Sequence, residues 1–302
     1  MKKLKIRVPA TSANLGPGYD CMGLALGLYS DFTFEKSERL IIEGCPEEFR
    51  NEDNLVVKAL KKAYEYYNKK AGAQGSAQVS LPALKILIES QVPVARGLGS
   101  SATCTVAGVL ATQGFLGNPF TSSELLMLCT ELEGHPDNAA PCLFGGLTAS
   151  FMEDGMPHVA SFDCHEDWRY VTVIPDYEVK TSEARKVVKQ DIRLSDGVYS
   201  VSHALCMVKA LETGDSSLLG YACRDVLHEP YRKGLIKDYD SVREVSLDSG
   251  ADAFFISGSG STMIAMTRDE EVAEKIQAAL RTAFPAFDVL ILEACKEGAA
   301  VI

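Results

Sequence analysis

Apolar and polar side chains alternate from Leu4 to Val8, and the alternation gives way to a loop rich in Gly, Pro and Asn over Pro9 to Gly18. A period of two marks extended backbone, whose successive side chains face opposite sides. The apolar run Met22 to Leu28 and the alternating Asp31 to Glu35 add a second strand. Over residues 54–70 apolar positions recur at helical spacing and end in lysines before Gly72, which predicts an amphipathic helix with a glycine C-cap. Gln78 to Ile88 reads as a strand, with Pro82 placing it at an edge or bulge because proline has no N–H for a ladder. A glycine loop, Pro93 to Ser101, leads into a helix of small residues, Ala102 to Gln113. Ser122 to Glu133 reads as a helix capped by Thr121 or Ser122, followed by the loop Gly134 to Pro141.

The pattern changes at the polar stretch Asp163 to Trp168. We place a domain boundary near residue 162, giving domains of residues 1–162 and 163–302, a length that suits two cores better than one. The second half predicts a strand at 169–175 and helices at 181–190, 197–213 and 215–228. Strands at 252–257 and 261–266, a helix at 268–283 and a strand at 287–294 complete it. Strands and helices mix without a strict alternation, which predicts an α+β fold.

Composition narrows the function classes. Hydrophobic residues are 46% and charged residues 24% of the 302, the range of folded globular proteins. The net charge is −11 and no run of five Lys/Arg occurs, which argues against a nucleic-acid partner. No apolar stretch approaches the roughly 18 residues that a membrane span needs, and the opening residues lack the unbroken apolar core of a signal peptide, so a cytoplasmic location is expected. Nine cysteines stand singly with no CxxC pair, which predicts reduced thiols rather than disulfides or a zinc site.

The sharpest chemistry lies in Pro93-Val94-Ala95-Arg96-Gly97-Leu98-Gly99-Ser100-Ser101-Ala102-Thr103. Gly97 and Gly99 let backbone approach a ligand closely, and consecutive N–H groups entering a helix N-terminus make a nest for phosphate. Ser100 and Ser101 add hydroxyls for a phosphate oxygen or Mg²⁺. The loop lacks the Lys of a P-loop and does not open a dinucleotide-binding unit, which disfavours both. Taken alone it could also be a well-capped glycine turn, the lesser of the two readings.

PVARGLGSSAT resembles the phosphate-binding signature of the GHMP kinase superfamily. Val8 to Leu26, containing PATSANLGPGYDCMG, and Glu131 to Pro141, containing GHPDN, look like motifs of its homoserine kinase branch, and Ser257-Gly258-Ser259-Gly260-Ser261-Thr262 is similar to its third motif. Thr103, Ala139 and Ser261 depart from the usual residues without removing a functional group. The resemblance implies an N-terminal domain like the second domain of ribosomal protein S5 and a ferredoxin-like C-terminal domain. It implies ATP and Mg²⁺ as cofactors, L-homoserine as phosphoryl acceptor in threonine biosynthesis, and a homodimer as a possible assembly. A mevalonate-type kinase and a non-catalytic metabolite sensor are the competing readings.

The resemblance also implies roles. Asp20 would hold the acceptor's ammonium and Asn14 would hydrogen-bond beside it, with His135 in contact with the acceptor and Arg185 and Arg232 on its carboxylate. Asn138 would orient the hydroxyl, since an amide cannot act as a general base. Ser101 and Glu131 would serve as catalytic and Mg²⁺ ligands, with Glu133 as the alternative to Glu131. Asn54 and Val56 would lie by the nucleoside, and residues 93–103 on the phosphates.

Overall fold

The computed structural model describes residues 3–73 and 75–302; Met1 and Lys2, with which the expected first domain opens, and Gln74 lie outside the described residues. The first half runs β1 (Lys3–Ala13), β2 (Met22–Lys36), β3 (Ile41–Glu43), α1 (Leu55–Ala73), β4 (Leu84–Ser90), α2 (Ser100–Phe115), α3 (Ser122–Glu133), α4 (Ala139–Phe144), β5 (Leu147–Glu153) and β6 (Met156–Phe162). The second runs β7 (Arg169–Ile174), α5 (Thr181–Lys186), α6 (Leu194–Thr213), α7 (Ser216–Ala222), α8 (Glu229–Arg232), α9 (Tyr239–Asp248), β8 (Ala253–Ile256), β9 (Met263–Thr267), α10 (Glu270–Ala283), β10 (Asp288–Leu292) and β11 (Ala300–Val301).

Seven strands form the first sheet, in the order β11-β1-β2-β4-β3, with β5 added to β2 and β6 to β5; four form the second, in the order β10-β7-β9-β8. Helices pack on both sheets, so the architecture is α+β. One core lies between the first sheet and α1 to α4, built on Ile6, Val8, Phe32, Phe34, Leu60 and Val106. A second gathers Leu24, Leu26, Leu98, Trp168, Tyr170, Leu211 and Phe255, drawing side chains from both halves and joining the two sheets. The third backs the small sheet with α9 and α10.

Several boundaries differ from the sequence reading for local reasons. β1 continues through Pro9 to Ala13 instead of ending at Val8, because its register against β2 shifts between Pro9 and Ala10, a bulge that absorbs the missing donor. The expected strand over 78–88 begins only at Leu84, beyond Pro82. α1 runs past Gly72 to Ala73. The loop expected over 134–141 ends in the short helix α4, with Pro141 inside its first turn. α3 follows its expectation: Thr121 and Glu124 make a reciprocal capping box, and Gly134 closes the helix in the left-handed region at φ 86°.

Candidate active site

Four loops converge where the two sheets meet and line a cleft of about 830 Å³. Each is held in place by the others. Between β1 and β2, Asn14, Leu15 and Asp20 take φ of 72°, 46° and 55°, and Ala95 in the glycine loop takes 53°. Non-glycine residues in this region carry strain that only a firm surrounding structure sustains. The firmness comes from the Ser257–Thr262 loop of the second half. Gly258 N–H donates to Ala13 O, Thr262 N–H to Arg96 O, and Ser257 Oγ–H to Gly97 O at 2.6 Å. A Cβ on Gly97 would sit 2.9 Å from Gly260 O, so only glycine permits this approach.

Behind that loop the chain is pinned by buried charge. Arg232 donates to Gly258 O at 2.8 Å and to Ala184 O at 3.3 Å, and its guanidinium lies 5.0 Å over the Tyr19 ring. Burial lowers its pKa. His228 Nε2 lies 2.9 Å from Gly16 O, and Asp225 accepts from the backbone N–H groups of Leu227, His228 and Glu229. Glu229 is buried and accepts from Ile256 N–H; burial raises its pKa to about 8.

The N-terminus of α2 opens into the cleft with Gly99 at φ 70° as N-cap, leaving the first-turn N–H groups and the Ser100 and Ser101 hydroxyls toward it. Ser101 Oγ–H points to Glu133, at 2.6 and 2.8 Å from its two oxygens, and Thr105 donates to the same carboxylate at 2.6 Å. Glu131 is elsewhere: it pairs with Lys62 at 2.7 Å on the outer surface. Two residues apart on a helix are roughly 200° apart around its axis, so one of the two carboxylates must point away, and it is Glu131. Val56 and Leu98 also lie outside the cleft, as fully buried members of the first and second cores. Asn54 lines the cleft, yet its side chain caps α1, accepting from Val56 N–H and donating to Phe49 O.

Asp20, His135, Asp137, Asn138 and Arg185 line the same cleft. Arg185 grips Asp20 in a two-bond fork at 2.9 and 3.0 Å, across 165 residues of sequence. His135 bonds Asp137 through Nδ1. Burial alone would lower the His135 pKa, but the bond to Asp137 and its charge outweigh that and raise it. Asn14 is occupied as a clip, donating to Gly258 O and accepting from Asp20 N–H. Asn138 heads α4, and its Oδ1 accepts from Thr11 Oγ–H at 2.7 Å. Thr11, buried on β1, was not singled out in the sequence; so were neither Thr105 nor Asp137 as site residues, although GHPDN contains the latter.

The chain matches the model of the GHMP kinases N terminal domain over residues 54–146 and that of the GHMP kinases C terminal domain over 207–286. It is 40% identical to the homoserine kinase of Clostridium beijerinckii over 303 residues, covering 99% of this chain and 98% of that one. The chain belongs to the homoserine kinase family. A homoserine kinase of Clostridium botulinum is 38% identical over 99% of this chain and 98% of its own. The crystal structure of homoserine kinase from Cytophaga hutchinsonii superposes with a TM-score of 0.86 at 30% identity, covering 100% of this chain and 98% of that one. The two-sheet α+β fold is thus that of the homoserine kinases, as the glycine-loop motifs implied.

Proposed function

We propose that this chain transfers the γ-phosphoryl group of ATP to the side-chain hydroxyl of L-homoserine. The observation that carries the reading is the Asp20–Arg185 fork, which lines the same cleft as Asn138 and the α2 N-terminus. Each member of that fork is the natural partner of one end of an amino-acid zwitterion. An incoming ammonium takes Asp20, with Asp137 close by, and the carboxylate takes Arg185. A neutral sugar carries neither charge and has nothing to offer in place of the bonds the pair already makes.

Residues 93–103 and the α2 N-terminus form a cradle that suits the nucleotide's phosphates, and the Gly97 approach leaves no room for a side chain. Ser101 and Glu133 supply the hard oxygen donors that Mg²⁺ prefers and would hold it at the mouth of the cradle. When bound, the metal neutralises charge on the transferring phosphoryl group.

Asn138 has its oxygen committed to Thr11, which leaves the Nδ2–H₂ to donate to the acceptor's hydroxyl oxygen and fix its direction. Such positioning suits phosphoryl transfer, whose loose transition state asks little of a base. Arg232 stays under the Gly258 loop and steadies the site from behind. Its guanidinium also adds positive potential on the carboxylate side. All nine cysteines are free, which fits a reducing compartment, and we place the protein in the cytoplasm; among the described residues no helix is long and apolar enough to cross a membrane.

Turnover of Mg²⁺-ATP by the purified protein tests the reading, with L-homoserine, mevalonate, galactose or no acceptor. ADP release that depends on homoserine, with O-phospho-L-homoserine as product, is expected. Turnover with a different acceptor alone overturns the substrate, and ATP binding without turnover overturns the enzyme.

A further inference from the structure

Arg96 sits in the middle of the glycine loop, yet its side chain is spent on the other half of the molecule. Nε–H donates to Pro175 O and Nη2–H to Asp176 O, both at 3.1 Å, and Nη1–H donates to Val94 O at 3.3 Å. Glu178 adds its carboxylate 3.3 Å from Nη1, and the Arg96 side chain is only 17% exposed. A phosphate reaching this guanidinium would meet three carbonyl oxygens and a carboxylate already in place, and like charges so close repel. The backbone of Arg96 belongs to the cradle; its side chain serves something else.

What it holds is a strap. Residues 175–180 carry the chain from the end of β7 to the start of α5 without helix or strand. Carbonyl groups outside a ladder must find donors elsewhere, and those donors decide the path of the chain. The oxygens of Pro175, Asp176 and Tyr177, three in succession, all accept from side chains of the two cleft loops: the first two from Arg96 and the third from Ser261 Oγ–H at 2.6 Å.

α5 begins where the strap ends. Thr181 Oγ lies 3.3 Å from Ser259 Oγ, and Arg185, one turn further on, forks onto Asp20. The helix has six residues, of which only Ala184 is buried. So short a helix does not fix itself by its own bonds and takes its place from what it is attached to. We infer that Arg96 is a positioning residue for the acceptor's carboxylate: from inside the nucleotide loop it sets the strap, and through the strap it sets α5 and the Arg185 guanidinium. The inference deepens the kinase reading and rests on it for the identity of the acceptor. A change in the phosphate loop should therefore register at the opposite substrate.

Steady-state kinetics of the full chain with Mg²⁺-ATP and L-homoserine test it. Arg96→Met keeps the stem and loses the fork, so the KM for homoserine should rise about tenfold or more, the worth of at least one charge-assisted hydrogen bond, with kcat and the KM for ATP little changed. In an Arg185→Ala background the same substitution should add less than about twofold, because the group it positions is gone. A rise confined to the KM for ATP puts Arg96 on the phosphates and overturns the inference. So does a homoserine effect that multiplies in full with that of Arg185→Ala. Hydrogen exchange separates this outcome from failure of the kinase reading: a wild type that does not turn over homoserine overturns that reading, whereas faster exchange of residues 181–188 in Arg96→Met, with residues 101–110 unchanged, still places α5 under the control of Arg96. Equal exchange in variant and wild type overturns that control. Should Arg96→Met fail to fold, Ser261→Ala, which frees Tyr177 O alone, carries the same measurements with the same direction expected and the same results overturning it.

Discussion

Glu131 and Glu133 show how much two residues along a helix matter. Glu133→Gln should lower kcat on the order of a hundredfold or more, since a metal contributes several kcal/mol of charge stabilisation, and should raise the Mg²⁺ concentration needed for half-activity. Glu131→Gln loses only an exposed ion pair with Lys62, worth well under about 1 kcal/mol, and should leave both quantities unchanged. Equal effects of the two substitutions would remove Glu133 from the metal site. Thr11→Val should lower kcat about five- to tenfold, the worth of roughly one neutral hydrogen bond, with the KM for homoserine little changed and activity restored by Thr11→Ser. Loss confined to KM would show that Thr11 shapes binding rather than the Asn138 amide. The sequence brought Asp20, His135, Asn138, Arg185 and Arg232 to one cleft through motif likeness, and they do meet there. It could not orient Glu131, whose motif position says nothing of helix phase, nor reveal Thr11, whose partner lies 127 residues away.

At the level of elements, α8 owes its position to a buried carboxyl group. Glu229 accepts from Ile256 N–H, which ties α8 to the end of β8 just before the Ser257–Thr262 loop. Burial raises its folded pKa from 4.5 to about 8, so the folded state holds a proton that the unfolded chain has released. The stability this group contributes is therefore complete below the ordinary glutamate range and is lost as pH rises toward about 8. Glu229→Gln, which keeps the oxygen for Ile256, should flatten the fall in urea midpoint over that window; an unaltered slope would mean that another group carries it. Elements with strong local signals were legible, α3 above all, because its Thr121–Glu124 box is written in adjacent residues. The hairpin β5–β6 was not, since its outer side chains Phe151, Met152 and Met156 are apolar yet exposed and break the alternation. β3 was missed for its three residues, too few to show a period.

For the whole molecule, the long-range feature no local pattern could announce is the path of residues 293–302 back across the first sheet. Glu293 O accepts from Gly27, Cys295 bonds Ala25 and Gly146 through its backbone, Ala299 N–H reaches Cys142 O, and Ile302 N–H reaches Lys5 O. β11 pairs Ala300 and Val301 with Arg7 and Ile6 of β1. A chain ending at Leu292 should show faster hydrogen exchange along β1 and at Gly27, while the β7–β9 ladder keeps its protection; equal loss in both sheets would mean that the strap holds the whole protein and not one sheet. The order of synthesis gives this strap a further meaning. A ribosome makes the glycine loop early, then most of the second half, and only afterwards the ten residues that cover the open edge of β1. Until they emerge, a nascent chain carries an unsatisfied strand edge of the kind that recruits other strands, so the interval between residues 162 and 293 is when a chaperone has something to hold.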